Sequence, residues 1–228
     1  MAFFGEMTQV ESGDGTMVDC YFAEATGAAM GGVVVIMEAF GVNDHIKQVC
    51  DGYADQGYDA IAPALYDRIE RNFDSGYSPD GFGSAIKNMQ ETGFDTPILD
   101  AQACIDFLRD RASGQIGIVG YCYGGAITWL AAARCEGLGA ASAYYGTGIL
   151  QFPDAEPRCP TILHFGRTDT STPEDRVAEI AKAHPDVPIH WYEAGHGFNN
   201  DARPDAYHAE SAELALGLTI ALFEENLG

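Results

Sequence analysis

No stretch constrains this chain more than Gly120-Tyr121-Cys122-Tyr123-Gly124-Gly125. The apolar run Ile116 to Val119 leads into it, and a helix-forming run, Ala126 to Ala133, leads out. Strand, sharp turn and helix in that order are the setting of a nucleophile elbow, where flanking glycines permit a strained turn that lifts one side chain clear of the backbone. The lifted residue here is a cysteine in place of the usual serine, which points to covalent chemistry on an acyl group. The pattern is short and the chain holds 27 glycines. An isolated cysteine is also often just a small buried hydrophobe, so the motif needs partners.

The partners lie downstream. Asp169 follows the apolar segment Thr161 to Phe165, and His196 follows the strand-like run Ile189-His190-Trp191-Tyr192. Nucleophile, acid and histidine in that chain order, the last two each just past a strand, is the α/β-hydrolase arrangement. A thiol with a pKa of about 8.5 is only slightly ionised at neutral pH. His196 is expected to take its proton, with Asp169 fixing the imidazole tautomer. The elbow rule assigns the oxyanion donors to the backbone N–H of Tyr123 and to the loop after the early strand, at Ala39. Glu38 ends that strand at the rim where parallel sheets build their sites; by itself it also reads as a glutamate facing water. His164 and His184 read as structural.

Apolar runs alternate with helical patterns along the chain. Strands are expected at 32–37, 58–62, 116–119, 140–145, 161–165 and 189–192. Helices are expected at 43–54, around Ile98, Ala101, Ile105 and Leu108 to an end near Ser113-Gly114, from Ala126, at 173–183, and from about Pro204 to Glu225. The alternation predicts one α/β domain over residues 1–228, a mostly parallel sheet with helices on both faces. Pro63 to Phe82 has no clear period and reads either as a lid or pocket wall or as a surface excursion.

Charge excludes some partners. With 34 acidic against 12 basic residues, a formal net of −22, nucleic acid phosphates and anionic membranes are repelled. The acidity reads as a solvated surface or as salt adaptation. The six cysteines are scattered, with no metal-ligand spacing, and are expected to be free thiols. No signal peptide is read in Met1 to Val10 and no membrane span elsewhere. A cytoplasmic monomer is expected.

Six blocks then carry a resemblance: Glu38-Ala39-Phe40-Gly41-Val42-Asn43, Pro63-Ala64-Leu65-Tyr66, the elbow, Ala143-Tyr144-Tyr145-Gly146, Gly166-Arg167-Thr168-Asp169 and Ala194-Gly195-His196-Gly197-Phe198. In this order over nearly the whole chain, they resemble the dienelactone hydrolase family (carboxymethylenebutenolidases). The resemblance implies a Cys122-Asp169-His196 triad on an α/β-hydrolase domain, with no metal or organic cofactor. It also implies that Glu38 meets the resting thiol and takes its proton when substrate arrives. The substrate implied is a small activated ester, typically an enol-lactone bearing a carboxylate, in aromatic compound breakdown.

One departure stands out: the family enzyme acting on dienelactone has an arginine shortly after the histidine. This chain runs Gly197, Phe198, Asn199, Asn200, Asp201, Ala202 before Arg203. Asn200 could hydrogen-bond an anion without bringing charge, and Arg68 or Arg71 in the irregular loop could supply a cation or simply be solvated. The readings left open are a lactone or activated-ester hydrolase, a broader carboxylesterase or thioesterase, and a non-catalytic small-molecule binder of the same fold.

Overall fold

The computed structural model describes residues 3–111 and 114–228. Eight strands form one sheet in the order β1-β2-β4-β3-β5-β6-β7-β8. An antiparallel hairpin, β1 (Glu6–Glu11) and β2 (Met17–Ala23), caps one edge and pairs with β4 (Tyr58–Pro63). From β4 through β3 (Gly31–Ile36), β5 (Ile116–Tyr121), β6 (Leu138–Tyr144) and β7 (Thr161–Gly166) to β8 (Ile189–Tyr192), all pairing is parallel. Every residue of β3, β4, β5 and β7 is buried, which is why these strands read as mostly apolar runs, broken only by buried Asp59, Thr161 and His164, in place of alternating ones.

Two glycines of β5 show how both sheet faces are covered. A Cβ on Gly117 would stand 2.8 Å from Leu227 and 3.0 Å from Phe223 of α6 (Ala209–Leu227). Three residues on, at Gly120, it would stand 2.1 Å from the Gly124 carbonyl oxygen of α4 (Tyr123–Arg134). Side chains an odd number of residues apart in a strand point to opposite faces, so α6 and α4 lie on opposite sides. The other helices are α1 (Asp44–Asp55), α2 (Pro79–Thr92), α3 (Asp95–Arg109) and α5 (Glu174–Ala183).

Three sequence expectations change. Part of the irregular segment is the start of α2, capped by the Ser78 hydroxyl accepting from Gly81 N at 3.2 Å, with Pro79 at its first turn. Phe82, Ile86 and Met89 share a face there at helical spacing, but Gly81, Gly83 and polar neighbours mask the period. The last helix begins at Ala209, not Pro204. The His208 N–H donates to the Phe198 carbonyl, drawing the preceding turn back onto the loop after β8, and the His208 imidazole caps the helix by accepting from Ser211 N. Finally, α3 closes at Arg109. Ser113, like the first two residues of the stretch read for a signal peptide, lies outside the described residues.

The buried cysteines and histidines sit where packing requires them. Cys20, Cys50, Cys104 and Cys135 are buried free thiols. His164 is fully buried in β7, bonded to Tyr192, Ser142 and Thr219, and His184 ends α5. No helix among the described residues is long and apolar enough to cross a membrane.

Candidate active site

At the end of β5 the backbone turns sharply, and Cys122 holds φ 56° and ψ −112°. That positive φ is costly for a non-glycine residue and persists only where the surroundings enforce it. Glycine makes the enforcement possible, because a Cβ on Gly124 would stand 2.4 Å from the Ile36 carbonyl oxygen and 2.6 Å from that of Met37. The strand–helix approach is thus backbone on backbone. Cys122 projects at the start of α4, partly exposed, into a cleft of about 440 Å³.

Asp169 and His196 border the same cleft, each on the loop after a neighbouring strand. His196 Nδ1 lies 2.8 Å from Asp169 Oδ2, which leaves Nε2 for the cleft. Asp169 also accepts from Ser171 N at 2.8 Å, Ser171 Oγ at 2.5 Å and Thr172 Oγ1 at 2.9 Å. Burial by itself would raise the Asp169 pKa. The His196 bond, with the Ser171 donors, outweighs it and holds the acid down at about 2. Burial likewise disfavours the imidazolium of His196, yet the Cys122 sulfur and the Asp169 carboxylate beside it push its pKa up to about 10. The imidazole is therefore set to carry a proton next to the sulfur.

Tyr123 and Ala39, expected from the sequence as oxyanion donors, line the same cleft as Cys122. Tyr123 occupies the first position of α4, where an N–H has no intrahelical acceptor. Ala39 follows β3, borders the cleft and is buried, and its N–H makes no hydrogen bond among the described residues.

Glu38 borders the cleft but is only 2% exposed. Its Oε2 accepts from Asn200 Nδ2 at 2.5 Å, and its Oε1 from the Tyr145 hydroxyl at 3.4 Å. Among the described residues none of its hydrogen bonds goes to Cys122, so the resting Glu38–thiol contact implied by the resemblance is not formed in this conformation. Asn200 is fully buried, with its amide on Glu38 and on the Tyr77 hydroxyl at 3.1 Å. It holds Glu38 and does not face a ligand. Arg68 and Arg71 are elsewhere too. Arg68 pairs at 2.8 Å with both Asp14 and Asp100, and Arg71 reaches Asp19 and the Met17 carbonyl. Neither borders the cleft.

Several residues that do border it went unassigned in the sequence. Arg203 is the cation in the cleft lining, its guanidinium 5.1 Å from the Phe82 ring and 3.3 Å from the exposed carboxylate of Asp205. The face of α2 supplies Phe82, Ile86 and Met89. Ser171, which also borders the cleft, had a local signal with Thr172 behind it, two hydroxyls just after the acid. Tyr145, behind the lining and bonded to Glu38, had one too, lying in a block that matched the family, and it sits fully buried at φ 38°. Among the described residues no group of three or more His, Cys, Asp or Glu side chains could hold a metal ion.

An eight-stranded, mostly parallel sheet with a strained elbow after β5 and an Asp–His pair beyond β7 and β8 defines an α/β hydrolase. The particular family follows from comparison with known proteins. The model of the dienelactone hydrolase family matches residues 18–227, and the chain belongs to that family. A carboxymethylenebutenolidase of Pseudomonas putida is 30% identical over 228 residues, covering 89% of this chain and 92% of that one. A Synechocystis protein provisionally named carboxymethylenebutenolidase is 32% identical, covering 86% of each chain. Among solved structures, a Klebsiella pneumoniae protein provisionally named a dienelactone hydrolase superposes with a TM-score of 0.84 at 29% identity, over 98% of this chain and 99% of that one. The protein is a hydrolase of the dienelactone hydrolase kind.

Proposed function

We propose that this enzyme hydrolyses lactones or activated carboxylic esters through an acyl-cysteine intermediate. The observation that carries the reading is Cys122, held at positive φ on the elbow and opening into the cleft shared with the hydrogen-bonded pair His196–Asp169. His196 Nε2 holds the proton given up by Cys122, and the thiolate sulfur attacks the carbonyl carbon. The carbonyl π electrons move to oxygen, where the Tyr123 and Ala39 amides receive the negative charge. As the intermediate collapses, the C–O bond to the leaving group breaks and His196 returns its proton to that oxygen. Water, deprotonated by His196, then attacks the thioester, and the thiolate departs and is reprotonated.

Asp169 keeps Nδ1 protonated throughout, so Nε2 is always the nitrogen in play. Glu38, held by Asn200 and Tyr145, is positioned to exchange a proton with the thiol if Cys122 swings toward it. Amides are poor substrates for this chemistry, since a thiolate leaves more readily than an amine. The molecule would act alone on a small ester or lactone, without a cofactor, nucleic acid or membrane.

Hydrolysis of an activated aryl ester tests the reading. Cys122→Ala should lower kcat by about 10⁴-fold or more, as losing a triad nucleophile does, and the wild type should show a burst of released phenol matching one acyl group per chain. Turnover unaffected by Cys122→Ala would discard the cysteine mechanism.

A further inference from the structure

The cleft has two unlike sides. Around His196 the lining is polar: Asp169, Thr170, Ser171 and Thr147. Much of the remainder is apolar and aromatic, built from Phe40, Phe82, Ile86, Met89, Phe94 and Tyr123, with the Arg203 guanidinium lying against the Phe40 and Phe82 rings. Phe40 packs edge-on to Phe82 with ring centroids 4.8 Å apart, and Phe94 lies 5.9 Å from Tyr123. The Tyr123 hydroxyl donates to the Gly93 carbonyl, which ends α2, so the residue after the nucleophile ties that helix to the elbow. Ile86 is 42% exposed although it borders the cleft, and an exposed apolar side chain at a site is free to be covered by a bound molecule.

The chemistry decides what each side receives. A leaving oxygen must reach His196 to be protonated, so the alcohol part lies on the polar side. The carbonyl oxygen is committed to the Tyr123 and Ala39 amides. The acyl chain is left with the apolar side. The charge of the whole chain points the same way. The carboxylates Glu38 and Asp169 in the lining are matched by the Arg203 guanidinium and the His196 imidazole, but the net charge is −22, so an anionic acyl group enters against the overall field.

Resting on the hydrolytic reading above, we propose that the substrate's acyl group is uncharged, apolar and of medium length. The α2 residues Phe82, Ile86 and Met89 are the specificity determinants that select it. This differs from a small carboxylate-bearing lactone, for which such a wall has no use.

The test is kcat/KM for 4-nitrophenyl esters from acetate to octanoate, which share one leaving group, beside a series of acetates with lengthening alcohols. Along the acyl series kcat/KM should climb by about two- to fourfold per methylene, the ratio expected for a CH₂ moved from water to an apolar surface, while the alcohol series stays nearly flat. Ile86→Ser, at a solvent-accessible position that should leave the fold intact, should about halve the logarithmic slope of the acyl series.

A flat acyl series that still depends on Cys122 would overturn the proposal and leave the hydrolytic reading standing. So would a preference for carboxylate-tipped acyl chains that disappears in Arg203→Gln. Turnover that survives Cys122→Ala would instead strike the hydrolytic reading itself.

Discussion

The elbow side of the cleft and the body of α2 facing it are held by different means. On the elbow side β5, Cys122 and α4 meet backbone to backbone, with no room for a methyl group at Gly120 or Gly124. On the other side, main-chain contacts fix residues 64–78 and the first turn of α2, as at Gly41 and Gly81, where a methyl group would meet the Phe73 and Ser75 carbonyls. Side chains from far away in the chain add ties there and hold the rest of α2. Arg68 is clamped between Asp14 and Asp100, Tyr123 bonds the end of α2, and Phe82 packs on Phe40. Close backbone contact leaves no conformational slack and suits a nucleophile whose position must not drift. Side-chain ties leave α2 with exposed positions such as Ile86, which suits a wall that accommodates different acyl groups.

The same substitution made on each side should expose the difference. Gly124→Ala forces a methyl group against two main-chain carbonyls of β3 and its following residue, and should cost roughly 3 kcal/mol, the upper range for overpacking. A denaturation midpoint within error of the wild type would show that the elbow tolerates slack after all. The acid beyond β7 gives an intermediate effect. Its pKa is lowered from the usual 3.8 to about 2, so its stabilisation is complete above about pH 4 and is lost as pH falls through 2. At 1.36 kcal/mol per pK unit, this amounts to about 2 kcal/mol. Denaturant titrations of the wild type and Asp169→Asn should therefore diverge at pH 5 and converge near pH 2, whereas a gap that persists at low pH would refute the charge argument. The smallest effect, and the opposite sign, belongs to α2. A Cβ on Gly83 meets nothing within 4 Å, so Gly83→Ala should stabilise by roughly 0.5–1 kcal/mol, visible as a small rise in Tm. A fall would mean that α2 needs its glycine for movement.

How far the site could be read in advance depends on the range of each interaction. The elbow, the loop positions of Asp169 and His196 and the alternation of strands with helices were legible because each rests on neighbours a few residues apart. The α2 helix was not, although Ser78-Pro79 and the spacing of Phe82, Ile86 and Met89 were there to be seen, because two glycines blur its period. Asn200 looked like a ligand for an anion, but its amide is taken by Glu38, 162 positions away. Arg68 and Arg71 looked like available cations in a loose loop, but carboxylates on the hairpin and on α3 had already engaged them.

By itself, then, the order of residues determined what depends on local backbone geometry: a turn only glycines allow, strands buried on both sides, and the succession of thiol, carboxylate and imidazole. Only the tertiary structure decided which polar side chains were already engaged and which faced the cleft. Long-range pairing is set by how distant segments pack, and a free charge and a satisfied one are the same letter in the chain.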